Sequence, residues 1–203
     1  MAAAPQRAVR RRRVARRLPR AERREIILGA AARVFGRRGY AAAAMGDIAA
    51  AAGVTKLILY RHFASKADLY RAVLERVAAQ LSERFVTHLE ADGFGVGARS
   101  LVALARQDPA GFELLWRHAG RVPEFAGYAG TLRAQAVSSV RSSLAERVPP
   151  QFLEWAAHAV VGYLVEAVLN WLEFGDPARD QQFVRATNKA MRAGVRAWAE
   201  IPG

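Results

Sequence analysis

The chain contains no cysteine, which excludes disulfides, thiolate metal sites and a cysteine nucleophile and suits a reducing cytoplasm. Histidine is scarce. The four residues, at 62, 88, 118 and 158, never stand at a metal-ligand spacing such as His-x-x-x-His. Gly-x-Ser-x-Gly, a phosphate-binding glycine loop and a carboxylate pair are all missing, so neither a catalytic residue, a metal ligand nor a cofactor site is nominated. Long uninterrupted hydrophobic runs are missing too: the longest, Ala156 to Val165, is broken by His158 and ends at Glu166, short of a bilayer. No apolar stretch follows the N-terminal arginines, which argues against a secretory leader. Acidic residues are the last shortage, with 18 Asp and Glu against 31 Lys and Arg.

That shortage is local. Residues 1–65 hold 15 basic and three acidic residues, a net of +12, whereas residues 66–203 hold 16 and 15, a net of +1. A charge excess confined to one end implies a polyanionic partner there, because phosphates supply most non-specific protein–DNA affinity. The same basic end could meet anionic lipid, but it lacks the interleaved apolar side chains that insert into a membrane.

Residues 1–19 are low-complexity and basic, with Arg10, Arg11, Arg12 and Arg13 in a row; like-charge runs of this kind predict a disordered arm. A helix is expected from about 20 to 38, with Ile26, Ile27, Ala30, Val34 and Phe35 at helical spacing and Gly39 as its stop. Ser65 caps a long helix from 66 to about 90, striped by Leu69, Val73, Val77, Leu81, Phe85 and Leu89. A loop is expected over 91–97, then helices over 98–106, 109–119 and 126–146. Pro149-Pro150 and Gly175-Asp176-Pro177 bracket another long helix, and a last one fills 178–200. No useful stretch alternates with period two, so the fold class is all-α with about nine helices. The expected division is a basic arm (1–19), a three-helix DNA-binding unit (20–66) and a larger helical domain (67–203).

Residues 45–63 carry the strongest signal. A short amphipathic helix with Ile48 and Ala49 inward is followed by a break at Ala52-Gly53-Val54 and a second helix opening at Thr55. Gly53 supplies the positive φ of a tight turn, and Thr55 is a good N-cap. Two short helices so joined make a helix-turn-helix, whose second helix enters a major groove.

Ile26, Ala30, Val34, Phe35, Gly39 and Tyr40, then Met45-x-Asp47-Ile48-Ala49-x-x-Ala52-Gly53-Val54-Thr55-Lys56, then Leu59-Tyr60-x-His62-Phe63-x-Ser65-Lys66-x-x-Leu69 together resemble the tetracycline-repressor-like (TetR) family of bacterial transcription regulators. The resemblance implies a cytoplasmic, nucleoid-associated homodimer that binds palindromic double-stranded DNA and is released when a small-molecule effector fills each C-terminal domain. Carried onto this sequence, it places Thr55, Lys56 and Leu57 in the groove and Tyr60, His62 and Lys66 on phosphates, with Met45 and Arg61 as further contacts. The chemistry agrees: Lys56 can donate to guanine N7 and O6, while the others are phosphate donors. Ala43 and Ala44 replace the hydroxyl residues common in the family, and Leu57-Ile58 replace a small residue or proline. The arginine arm either reaches a flanking minor groove and compensates, or adds only non-specific affinity.

The helix after Pro150 is apolar nearly all round from Trp155 to Val165, so a partner is expected to cover it. With the final helix (Phe183, Val184, Met191, Val195, Trp198) it predicts half of an intermolecular four-helix bundle. Glu166 and Asn170 interrupt its apolar character. Glu166 either meets solvent, an arginine or the dimer seam, or joins Asn170 as a polar anchor in an effector cavity. Phe85, Phe112, Trp116, Tyr128 and Tyr163 complete the nominated pocket, which implies a mostly apolar effector. The alternative function is a non-specific DNA-compacting protein driven by the arginine arm.

Overall fold

The computed structural model describes residues 19–88 and 96–201, the side chains of 84–88 and 96 excepted. The basic arm with Arg10, Arg11, Arg12 and Arg13, the Phe85 side chain, residues 89–90 at the expected end of the long helix and residues 91–95 of the expected loop lie outside the described residues. Among the described residues the chain is all-α, as expected. The helices are α1 (Arg20–Ala42), α2 (Met45–Ala51), α3 (Lys56–His62), α4 (Lys66–His88), α5 (Val96–Gln107), α6 (Pro109–Glu113), α7 (Pro123–Leu144), α8 (Pro150–Phe174) and α9 (Asp180–Ala199). A π-helical turn, Leu114–His118, and a 3-10 turn, Ala119–Arg121, carry α6 into α7, and a second 3-10 turn, Pro177–Arg179, leads into α9.

Local chemistry sets most boundaries. Gly39, at φ 74° and ψ 163°, breaks the helical run of α1 where its stop is expected. At the entry to α4 the Ser65 hydroxyl accepts from the Asp68 N–H (3.0 Å), and the Asp68 carboxylate accepts from the Ala64 N–H (3.0 Å), a reciprocal cap. Asp108 caps α6 by accepting from the Gly111 N–H at 3.1 Å. α7 begins at Pro123, earlier than the predicted 126, and the reason is positional. Proline is a breaker inside a helix but a natural first residue, where its missing N–H would have had no partner.

α4 is the spine, its Leu69, Val73 and Val77 fully buried and Leu81 packed at the margin. α8 sits among α5, α7 and α9 and buries Ala156, Ala157, Val160, Val161, Leu164, Val165, Val168 and Leu169. By length and mean hydropathy it could cross a bilayer, although no uninterrupted run does so; it is instead a central helix of the bundle. Its other face stays outside: Trp155 is 53% exposed, Tyr163 44%, and Glu166 and Asn170 are exposed beside them.

Two junctions join α1–α3 to the rest. In the first, Tyr40 at the end of α1 packs on Tyr70 of α4 (ring centroids 5.0 Å) and Phe125 of α7 (5.4 Å), with Tyr70 on Phe125 at 4.6 Å and Phe35 on Tyr70 at 4.9 Å. The Tyr40 hydroxyl donates to Glu124 (3.1 Å). In the second, Arg76 of α4, only 12% exposed, pairs with Glu25 of α1 (3.5 Å) and closely with Asp108.

The far end is fastened differently. Arg106 of α5 donates twice to Asp180 of α9 (3.1 and 2.9 Å), and the Trp171 indole of α8 donates to the same carboxylate (2.7 Å). The Arg106 hydrogen bond first, and the Trp171 bond after it, hold the Asp180 carboxyl below its ordinary range against the opposing effect of burial. A lowered folded value means stability that is full above the unfolded carboxylate value and is lost as pH falls through the folded one. The stability difference between wild type and Asp180→Asn, measured by urea unfolding, is therefore expected to hold near neutrality and shrink as pH drops below about 4. A pH-independent difference would mean that packing, not charge, is what Asp180 contributes.

Candidate nucleic-acid interface

The turn between α2 and α3 has the geometry of a Schellman motif. The Gly53 N–H bonds to the Ala50 carbonyl (3.1 Å) and the Val54 N–H to the Ala49 carbonyl (3.0 Å), with Gly53 at φ 66°. Gly39 and Gly53 are the positive-φ residues among those described. Ile48, Ala49 and Leu59 bury the inner faces of the pair. Thr55 caps α3, its hydroxyl accepting from the Ile58 N–H at 3.3 Å. The hydroxyl expected in the groove is thus already engaged in holding the helix end.

The outer face of α3 is laid bare by this packing. Leu57 is 63% exposed and Tyr60 51%, and Lys56 and Arg61 are exposed with them. Two cationic groups, a phenol and an apolar side chain on one protruding helix suit a groove with phosphate rims. Lys56 lies back over Gly46 at the start of α2; a Cβ added there would stand 2.7 Å from Lys56 Cε. Reaching a base edge therefore requires this side chain to swing away from α2.

Three expected contacts are partly taken up by the fold. Met45 packs its side chain into the core, 9% exposed, because the first turn of α2 needs an apolar plug against α1; the side chain is held by the fold and not offered to solvent. Lys66 Nζ donates to the Ala41 and Ala43 carbonyls (3.1 and 3.2 Å) and sits 4.7 Å from the Tyr40 ring centroid. Its ammonium thus ties the end of α1 to the start of α4. His62 is half-buried, and its pKa is lowered by that burial first and then by Arg20, Arg23 and Arg24 of α1. Ala43 is buried, and Ala44 gives α2 no side-chain cap. The Arg38–Asp47 ion pair ties α1 to the first turn of α2 instead.

The nominated effector residues do not converge on one visible cavity. Phe112 is fully buried and packs on Trp116 (6.3 Å between rings), whose indole N–H is buried without a partner. Tyr128 is half-buried near Glu75 and Arg71. Tyr163, Glu166 and Asn170 lie on the outer face of α8, and Glu166 meets Arg117 at 3.6 Å. Sequence spacing leaves several destinations open for this carboxylate, and two are observed, solvent and an arginine. A cleft of about 340 Å³ lies elsewhere, between α1, α4 and the α5–α6 turn, with Arg33, Arg76, Gln80 and Asp108 on its walls. Sequence reasoning misses it because its polar lining comes from separated segments. Also missed are Arg20, Arg23 and Arg24, which sit in a helix whose sequence signal is its apolar face.

The Lys66 contacts separate two roles. Lys66→Met is expected to cost about 1–3 kcal/mol in urea unfolding, since two carbonyls lose a charged donor. Unchanged stability with weaker DNA binding would restore a purely phosphate-contacting lysine.

A family model for "Bacterial regulatory proteins, tetR family" matches residues 27–73. Over 60 residues the chain is 60% identical to the HTH-type transcriptional activator FasR of Mycolicibacterium smegmatis, a match spanning 30% of this chain and 27% of FasR. Over 197 residues it is 30% identical to the HTH-type transcriptional repressor ComR of Escherichia coli, covering 88% of this chain and 90% of ComR. Among solved structures, a TetR-like transcriptional regulator from Rhodococcus sp. RHA1 superposes with a TM-score of 0.74 at 24% identity, over 88% of this chain and 98% of that one. AibR, solved with isovaleryl coenzyme A and operator DNA, superposes with a TM-score of 0.67 at 20% identity, over 83% and 97%.

Proposed function

The chain belongs to the tetR family of bacterial regulatory proteins, and from that premise we propose that it is a cytoplasmic repressor released from a palindromic operator by a small-molecule effector. The observation that carries the DNA half is the Schellman-joined helix pair presenting Lys56, Leu57, Tyr60 and Arg61 outward on the basic end of the chain. Repression is favoured over activation because ComR, the relative matched over nearly its whole length, is a repressor. The match to the activator FasR spans about a quarter of that protein, too little to carry its mode of action over.

In this reading residues 1–19 form a basic arm, 20–66 the DNA-binding unit and 67–203 the effector and dimerisation domain. The dimer forms through the outer faces of α8 and α9, where Trp155 and Trp198 pack edge to face at 5.0 Å and Tyr163 is left exposed. A mostly apolar effector enters beside Phe112 and Trp116, supported by the buried and unpartnered Trp116 indole N–H, which can donate to an effector oxygen. AibR was solved with isovaleryl coenzyme A and SmeT with triclosan.

Selection from a random DNA library at near-physiological salt tests this directly. The expected product is a strong palindrome with half-sites roughly one helical turn apart. Enrichment without a motif would favour non-specific compaction. On the selected site Lys56→Ala should lose preference at one or two base positions, costing about 1–3 kcal/mol there, whereas Tyr60→Phe should weaken all sequences alike. If Lys56→Ala behaved like Tyr60→Phe, base readout would not belong to Lys56.

A further inference from the structure

Glu25, Gly29 and Arg33 follow one another at four-residue spacing and share one face of α1. With Arg76 and Gln80, one turn apart on α4, and Asp108 at the head of α6, they line the cleft of about 340 Å³. A Cβ added to Gly29 would stand 3.7 Å from an Arg33 guanidinium nitrogen and 4.0 Å from one of Arg76. Both are ordinary contacts, so packing would accept an alanine, which suits a helix interior better. Two guanidinium groups from separate helices thus converge over a glycine. Their counter-charges are uneven. Asp108 is engaged twice, by Arg76 and by the Gly111 N–H at 3.1 Å. Glu25 is 56% exposed and reaches Arg76 only at 3.5 Å and Arg24 at 3.9 Å. Arg33 has no carboxylate partner among the described residues. Arg76 Nε and Gln80 Oε1, a donor and an acceptor, are both buried with no hydrogen bond among the described residues.

We infer that this cleft is a second binding site, apart from the Phe112 and Trp116 position, and that it takes a small hydroxy-carboxylate. The carboxylate lies over Gly29 and accepts from Arg33 and Arg76, displacing the loosely held Glu25 into solvent. The hydroxyl accepts from Arg76 Nε and donates to Gln80 Oε1, and a hydroxyl is a small neutral group that does both. A carboxylate alone offers only acceptors and leaves Gln80 unpaired. The volume lies at the lower end of small-molecule sites. Because the cleft spans the second junction between α1 and the helical body, its occupant takes over the hold that Glu25 has on Arg76. Such binding needs neither DNA nor an effector elsewhere, so it stands independently of the functional reading above.

The test is a nuclear magnetic resonance titration of the full chain that follows the Nε–H signals of Arg33 and Arg76. The probes are malate and succinate, which differ only by the hydroxyl. Malate should move both signals saturably and bind about tenfold more tightly than succinate. Gln80→Leu should bring malate down to the affinity of succinate, and Arg33→Ala should weaken both acids about tenfold. Gly29→Ala should also weaken both, with its urea-unfolding midpoint unchanged or raised, because the added methyl enters the cleft and not the core. Trp116→Phe should leave malate binding as it is. An Arg76 signal that malate does not move would overturn the site. So would equal affinity of the wild type for the two acids, which would reduce the cleft to a general anion contact. Loss of malate binding in Trp116→Phe would overturn it as well, by placing the ligand in the other position.

Discussion

The aromatic contact between Tyr40, Tyr70 and Phe125 is the constraint on which the rest of the molecule depends. Each ring comes from a different part of the chain: the end of α1, the first turns of α4 and the start of α7. The Tyr70 hydroxyl is buried without a partner, and burial pushes its pKa up to about 12, so the ring is held for its shape and not for its polar tip. Rings packed edge to face resist sliding better than aliphatic chains, because the favourable geometry is narrow. The orientation of α1–α3 relative to the helical body is thereby fixed at the first of its two junctions. A movement of α7 or of the π-helical turn before it has a direct mechanical route to the recognition helix.

Around that point the polar groups divide between holding and reaching. Lys66, Thr55, Asp47 and Arg38 are occupied within the fold. Lys56, Tyr60 and Arg61 face outward. The division follows from length: α2 and α3 have seven residues each, too few to be stable alone. Their ends must be fastened by neighbouring side chains before the outer face is available to a ligand.

Most of the architecture is legible in the sequence because its signals are local. Gly53 and Thr55 announce the turn and the cap, Ser65 announces α4, and Pro149-Pro150 and Gly175-Asp176-Pro177 bracket α8. Pro123 is ambiguous by its nature, since a helix start and a helix break share that residue. The site is less legible, for a physical reason. Spacing says which residues share a helix face but not what that face meets. Hence Met45 and Lys66, sound by motif, turn inward to packing and carbonyl groups. Arg20, Arg23 and Arg24 look like ordinary solvated charges until α3 is brought against them. The polar cleft is assembled from α1, α4 and the α5–α6 turn, and no window of sequence contains it.

Arg76 gathers Glu25 of α1 and Asp108 at the head of α6 onto one guanidinium, and the same Asp108 carboxylate caps α6 through Gly111. In genetic terms these positions form one unit of inheritance. Loss of the arginine leaves a half-buried carboxylate without its counter-charge, and loss of Asp108 leaves the arginine with exposed Glu25 alone and uncaps a helix, so the damage from changing both is less than the sum of the two. A lineage that has lost one partner has already suffered most of the injury, and its second change does little further harm. Substitutions at 76 and 108 should therefore accumulate together during divergence, while exposed Glu25 drifts with far less restraint.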